Sequence, residues 1–170
     1  PKLLPRKRKR RKIRSKGKTK KSPIPNRIPL KNRPLDALDR EEFGHWEGDL
    51  MIFSQTTTNL ITLRERKSRL ILAIKNPSKH ADVTANNIIY TFYGTLKDLI
   101  KTLTLDNGGE FAQHERIAKK LQLGKYFCDP YASWQKGSVE QGNGVIRIEM
   151  PRDNDIEGMS QYRINNMMRN

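Results

Sequence analysis

Three acidic residues, Asp49, Asp106 and Glu140, lie where the patterning of the chain can bring them to one point. Asp49 sits in the run His45–Phe53 (HWEGDLMIF). Asp106 directly follows Leu103-Thr104-Leu105, and Glu140 falls early in the stretch Ser138–Ile148. Carboxylates gathered at one point repel one another unless a cation neutralises them. Hard oxygen donors of this kind favour Mg2+ or Mn2+. Two such ions about 3.5–4 Å apart activate an attacking oxygen and stabilise a leaving one in an in-line displacement at phosphorus. The chemistry open to such a trio is the cutting or joining of a phosphodiester, with no serine, cysteine or histidine nucleophile required. Taken alone, Asp106 reads as a turn residue bonding backbone amides, because Asn107, Gly108 and Gly109 suit a sharp turn.

The elements that would position these acids follow from periodicity. Leu50, Met51, Ile52 and Phe53 make His45–Phe53 a central strand. A polar break over Ser54–Asn59, an alternating strand over Leu60–Arg66 and another strand over Arg69–Lys75 complete an antiparallel meander. Asp82–Ile100 reads as a helix with Ala85, Ile88, Ile89, Phe92, Leu96 and Leu99 on its apolar face. The strand ending at Asp106 comes next, then a helix over Gln113–Leu121 closed by Gly124, and a short strand over Tyr126–Cys128. Ser138–Ile148 is the last helix, interrupted by Gly142 and Gly144. The expected fold is α/β: a five-stranded mixed sheet, three antiparallel strands then two parallel, with helices on both faces. Its first and fourth strands lie side by side, so Asp49 and Asp106 converge, and a helix packed across the sheet points Glu140 at the same place.

Charge is unevenly distributed. Of the 34 Lys and Arg in this 170-residue chain, 13 lie in residues 1–22, which contain none of the 18 acids. The remaining residues therefore hold 21 basic against 18 acidic groups, and most of the net +16 belongs to the first segment. Such a run buries too little apolar surface to fold and suits a polyanion. Without the apolar face of an interfacial helix, nucleic acid fits better than a membrane. Residues 23–42, with Pro23, Pro25, Pro29 and Pro34, read as an extended linker, and the folded part is expected over 43–170. The single cysteine, Cys128, excludes a disulfide framework and reads as a small core residue in a reducing cytoplasm. No stretch approaches the roughly 18 apolar residues that span a bilayer.

Three blocks, Gly44–Leu50 (GHWEGDL), Leu103–Phe111 (LTLDNGGEF) and Tyr126–Arg147 (YFCDPYASWQKGSVEQGNGVIR), resemble the signature blocks of the insertion sequence 30 family of bacterial transposases. These are Asp-Asp-Glu recombinases with a ribonuclease-H-like core. Thirty-three residues separate Asp106 from Glu140, the spacing typical of that family, and Arg147 follows seven positions after Glu140, where related enzymes carry a basic residue facing DNA. The proline-containing stretch Pro23–Arg27 and the basic run before it also resemble the family.

The resemblance implies a transposase catalytic domain. Asp49, Asp106 and Glu140 would be its catalytic and metal-binding residues, with two Mg2+ or Mn2+ ions as cofactors. Its DNA partners would be the element ends and the target, it would form a homo-oligomer able to handle two ends, and it would sit on the bacterial nucleoid, with no membrane partner. Val139 stands where the family usually has a polar residue, the helix-turn-helix that reads element ends has no counterpart here, and the chain stops soon after Ser160. A C-terminally truncated catalytic fragment is therefore expected. The alternative is an inactive remnant that binds nucleic acid through its basic segment alone.

Other polar residues have plainer readings. Lys136, Asn143 and Arg147 would grip phosphates, Trp134 would stack on an unpaired base or cap the core, and Arg8, Arg10, Arg11 and Lys12 would hold the DNA backbone. Glu47, two residues before Asp49, shares its face and reads as an acid behind the site or on the surface, with metal binding as the lesser alternative. Glu110 reads as an exposed turn residue and Asp129 as a turn former, His45 and Trp46 as a packing lip, and His80 and His114 as loop and helix-start residues.

Overall fold

The computed structural model describes residues 24–54, 56–130 and 132–168. Its strands are β1 (His45–Ile52), β2 (Asn59–Glu65), β3 (Ile71–Asn76), β4 (Thr102–Leu105) and β5 (Gly124–Phe127); its α-helices are α1 (Asp36–Asp39), α2 (Ala81–Phe92), α3 (His114–Leu121), α4 (Gly137–Glu149) and α5 (Gln161–Met167). The strands form one sheet in the order β3-β2-β1-β4-β5. β1–β2 and β2–β3 are antiparallel, while β1–β4 and β4–β5 are parallel. The expected meander, its two parallel additions and the central pairing of β1 with β4 are all present.

Alternation along the strands sorts their side chains onto two faces. Ile61, Leu63, Leu103, Leu105 and Phe127 join Ala85, Ile88 and Phe92 of α2 and Ile117 of α3 in the larger apolar cluster. On the other face, Met51, Leu60 and Ala73 pack with Ile146 and Met150 at the end of α4 and Ile164 of α5. The start of α4 lies instead over Glu47, Thr62 and Arg64, all buried. Close approach there requires Gly142: a Cβ at that position would lie 2.7 Å from Ile71 Cδ1 and 3.3 Å from Arg64 Nη1. The two glycines expected to interrupt α4 do not; the helix runs through both.

The helix expected over Asp82–Ile100 stops at Phe92. Gly94 takes φ +78°, a left-handed conformation in which glycine ends a helix without strain. Leu96 and Leu99, assigned to the buried face, are exposed, and a 3₁₀ turn covers Lys97–Leu99.

Residues 24–42, expected to belong to a linker, are extended in part, as their prolines dictate, but they do not lie outside the fold. Ile24 is buried in the larger core. The carbonyl of Ile28 accepts from the Phe127 amide at 2.9 Å, and Pro29 bridges to Phe127 alongside β5. Arg33 is buried and donates to Thr104 Oγ1 at 3.2 Å. The prolines remove backbone donors without removing acceptors, so this segment docks through carbonyls and side chains. On the opposite side of the sheet, the Gln161 amide accepts from the Lys75 backbone N–H at 2.7 Å and donates to the Ala73 carbonyl at 2.8 Å. Residues 1–23, with the basic segment, lie outside the described residues. Among the described residues, no helix is long and apolar enough to cross a membrane.

Candidate active site

Strand register brings Asp49 and Asp106 together. Glu47 on β1 is paired with Thr104 on β4. Two residues further along each strand, on the same face, come Asp49 and Asp106, on neighbouring parallel chains. Both aim at one ammonium: Lys136 Nζ lies 2.8 Å from Asp49 Oδ1 and 3.0 Å from Asp106 Oδ2. Burial works against the Lys136 charge, but the two carboxylates outweigh it and raise its pKa above the ordinary lysine value. Asn143 on α4 donates to the other Asp49 oxygen at 2.7 Å. The second Asp106 oxygen accepts from the Gly108 amide at 3.0 Å. Asp106 is thus both the turn former its flanking residues imply and one member of an acid pair.

Glu140, on the first turn of α4, is exposed and lines an open cleft with Asp49, Met51, Asn143, Arg147 and Arg152. It is on the same side of the molecule as the aspartates. Among the described residues, however, no three His, Cys, Asp or Glu side chains form a group that could hold a metal ion. Two of the three acids converge on a cation position, and the third borders the same cleft.

Beneath the pair lies a layer of buried charge. Glu47 is fully buried; its carboxylate pairs with Arg66 and accepts from the Val139 amide at 3.0 Å. That amide belongs to the first turn of α4, where the positive end of the helix dipole favours an anion. Arg64 donates to the Ser138 carbonyl, and Arg66 Nε donates to the Ala37 carbonyl at 2.9 Å. The β1–β2 pair therefore fixes where α4 begins, and with it where Asn143 and Glu140 stand. Sequence spacing put Glu47 on the face of Asp49 but gave no sign of its partners.

Lys136 and Asn143, expected to face DNA phosphates, turn inward to the acids. Arg147 donates to the Ile52 carbonyl at 2.7 Å and stacks its guanidinium 4.6 Å from the Phe53 ring centroid, so it borders the cleft with part of its donor set engaged. Trp134 does not cap the core; it is 76% exposed. Gln135 and Asp129 tie the loop before α4 through a reciprocal pair of hydrogen bonds, 2.7 and 2.9 Å. Glu110, expected to be an exposed turn residue, is half-buried, and its pKa is raised by burial first and by Asp106 as well. Trp46 and His45 pack inward, with Trp46 Nε1 donating to the Leu99 carbonyl. Cys128 is buried, and burial pushes its thiol up to about 11. His80 is exposed ahead of α2, and His114 begins α3, buried. Arg8, Arg10, Arg11 and Lys12 lie outside the described residues.

No family model matches the chain. Individual relatives do. The transposase for insertion sequence element IS1086 of Cupriavidus metallidurans is 36% identical over 155 residues, covering 89% of this chain and 44% of that protein. The transposase for IS4351 of Bacteroides fragilis is 36% identical over 141 residues, 83% of this chain and 43% of that protein. Transposase InsI for IS30A of Escherichia coli is 31% identical over 141 residues, 83% of this chain and 37% of that protein. Over most of its length the chain is similar to transposases of the insertion sequence 30 kind. It spans less than half the length of the curated relatives it matches. The blocks that carry the family likeness are those that build the acid pair, the turn after it and α4. A chain in the structure of the simian T-cell lymphotropic virus intasome bound to PP2A regulatory subunit B56 gamma aligns with TM-score 0.55 at 15% identity, over 72% of this chain and 46% of that one. That likeness is one of fold, and the sheet has the ribonuclease-H-like order.

Proposed function

We propose that this chain is the catalytic part of a DNA transposase, a polynucleotidyl transferase that cleaves a phosphodiester at an element end and joins the freed 3′ hydroxyl to target DNA. The observation that carries this reading is the convergence of Asp49 and Asp106 on one cation position. Their oxygens suit a hard divalent cation, so the residues fit Mg2+ or Mn2+. Asp49 and Asp106 would hold the metal, with Glu140 joining from α4. When bound, the metal supplies Lewis-acid polarisation of the phosphoryl group and a nucleophile usable at neutral pH.

The chain's own residues provide orientation. Asn143 and the Gly108 amide fix the two carboxylates, and Glu47 and Arg64 hold the start of α4 so that Glu140 faces the cleft. Arg147 and Arg152 lend the cleft positive charge for a DNA backbone. The basic segment 1–22 adds sequence-independent affinity, and work on two element ends calls for more than one chain. The alternative of an inactive, DNA-binding remnant is not favoured, since Asp49 converges with Asp106 and shares a cleft with Glu140, Arg147 and Arg152. Incubation of the full chain with supercoiled plasmid and MnCl2 tests the proposal. Nicking that Asp106→Asn abolishes is the expected result; nicking unchanged by that substitution refutes the assignment.

A further inference from the structure

Lys136 is placed unlike a DNA-gripping lysine. Its side chain is 7% exposed, and its ammonium sits between the two aspartates that the proposed function assigns to metal binding. An ammonium is a compact charge on a flexible four-carbon stem, with no ligand plane to satisfy. It can therefore occupy a cation position and leave it by rotating its stem. The residue ends the 3₁₀ turn Ser133–Lys136, just before α4, so such a movement leaves the sheet and the helix in place. Asp49 also has a second donor, Asn143, on its other oxygen.

The geometry points to Lys136 as a built-in counter-ion that keeps Asp49 and Asp106 convergent in the metal-free chain and must be displaced before a divalent cation binds. This rests on the metal-dependent reading above. Two effects follow. Without Lys136, the paired carboxylates repel in the metal-free chain. With it, the metal meets a site already neutralised, and its apparent affinity falls by the fraction of chains in which the ammonium has left. If that fraction is about a tenth, the loss is about tenfold.

Calorimetric titration of MnCl2 into the full chain, wild type against Lys136→Met and Lys136→Arg, tests this. Lys136→Met is expected to bind Mn2+ about tenfold more tightly than wild type. It is also expected to melt at a lower temperature without metal and to gain more on adding it. Lys136→Arg keeps the charge and should bind Mn2+ more weakly than Lys136→Met. If Lys136→Met shows no folded transition without metal, Mn2+ is expected to restore one; failure to restore it overturns the inference. Equal affinity in wild type and Lys136→Met, or weaker binding by the variant, overturns the counter-ion role while leaving the metal site standing. Absence of Mn2+ binding in every chain overturns the metal site itself, and the inference with it.

Discussion

On the side covered by α2 and α3, the sheet presents Ile61, Leu63, Leu103 and Leu105, all apolar and all buried; on the side covered by the start of α4, it presents Glu47, Thr62, Arg64 and Thr104, buried to a similar degree. Strands β2 and β4 contribute to both sets. Because successive side chains alternate, one strand can feed a hydrophobic core and a charged layer without compromise between them. The apolar face gains free energy in proportion to the area removed from water, and its partners are interchangeable within limits of size. The charged face gains little net stability from burial, since removing ions from water is costly. What it gains is fixed partners, because an unpaired buried charge is costlier still. The difference teaches where the site's accuracy comes from. Asp49 and Asp106 stand on the charged face, next to Glu47 and Thr104, where every neighbour has a specified place.

Removing one member of the charged layer is therefore expected to have the largest effect. Glu47→Ala strands Arg66 and frees the Val139 amide, and it should cost about 3–5 kcal/mol in urea unfolding; a loss under about 1 kcal/mol would erase the contrast between the faces. Ile88→Ala, a cavity on the apolar face, should cost about 2–5 kcal/mol. It should leave Mn2+ affinity unchanged; a drop in that affinity would show that the two faces are not independent. Trp134→Ala, which removes an exposed ring, should leave stability within about 0.5 kcal/mol of wild type. Its affinity for single-stranded DNA should fall by about 1–3 kcal/mol if the ring stacks on a base; unchanged affinity removes Trp134 from the DNA surface.

The smallest expected effect is on pH dependence. His45 and His114 both have pKa values lowered from 6.5, chiefly by burial, and each keeps one buried ring nitrogen without a hydrogen-bond partner. The unfolded chain takes up protons at these sites before the folded chain does. Stability should therefore decline as pH falls below about 6.5 and level off beneath the folded pKa values. His114→Gln, which can still donate to the Pro25 carbonyl now held by His114 Nε2, should flatten part of the decline in melting temperature. A profile as steep as wild type would assign the effect elsewhere.

The sheet was legible from sequence because its signals are local: apolar runs of strand length, short links in the meander, and a helix before each parallel strand. The meeting of Asp49 and Asp106 was legible for the same reason, since two neighbouring strands reach an acid at the same level. What escaped were features decided by distant partners. Pro23–Glu42 has the composition of a linker, yet Ile24 and Arg33 find burial against residues far along the chain. The destination of the Lys136 ammonium depends on a side chain with four rotatable bonds, which no periodicity constrains. The end of α2 at Phe92 depends on the conformation of Gly94, and the apolar spacing of Leu96 and Leu99 ran on past it. Nor could spacing show that Glu140 would border the cleft while only its two companions share a counter-charge.

The outer strands carry a consequence for assembly. Beside β5, the backbone of Ile28 and Pro29 already occupies the lateral pairing positions at Phe127. Beside β3, the Gln161 carboxamide imitates a peptide group and satisfies Ala73 and Lys75. Both rims of the sheet are thus blunted by the chain's own atoms, which guards against runaway strand addition and aggregation. A contact between copies made through helices or loops would leave undisturbed the strand register that aligns the two aspartates.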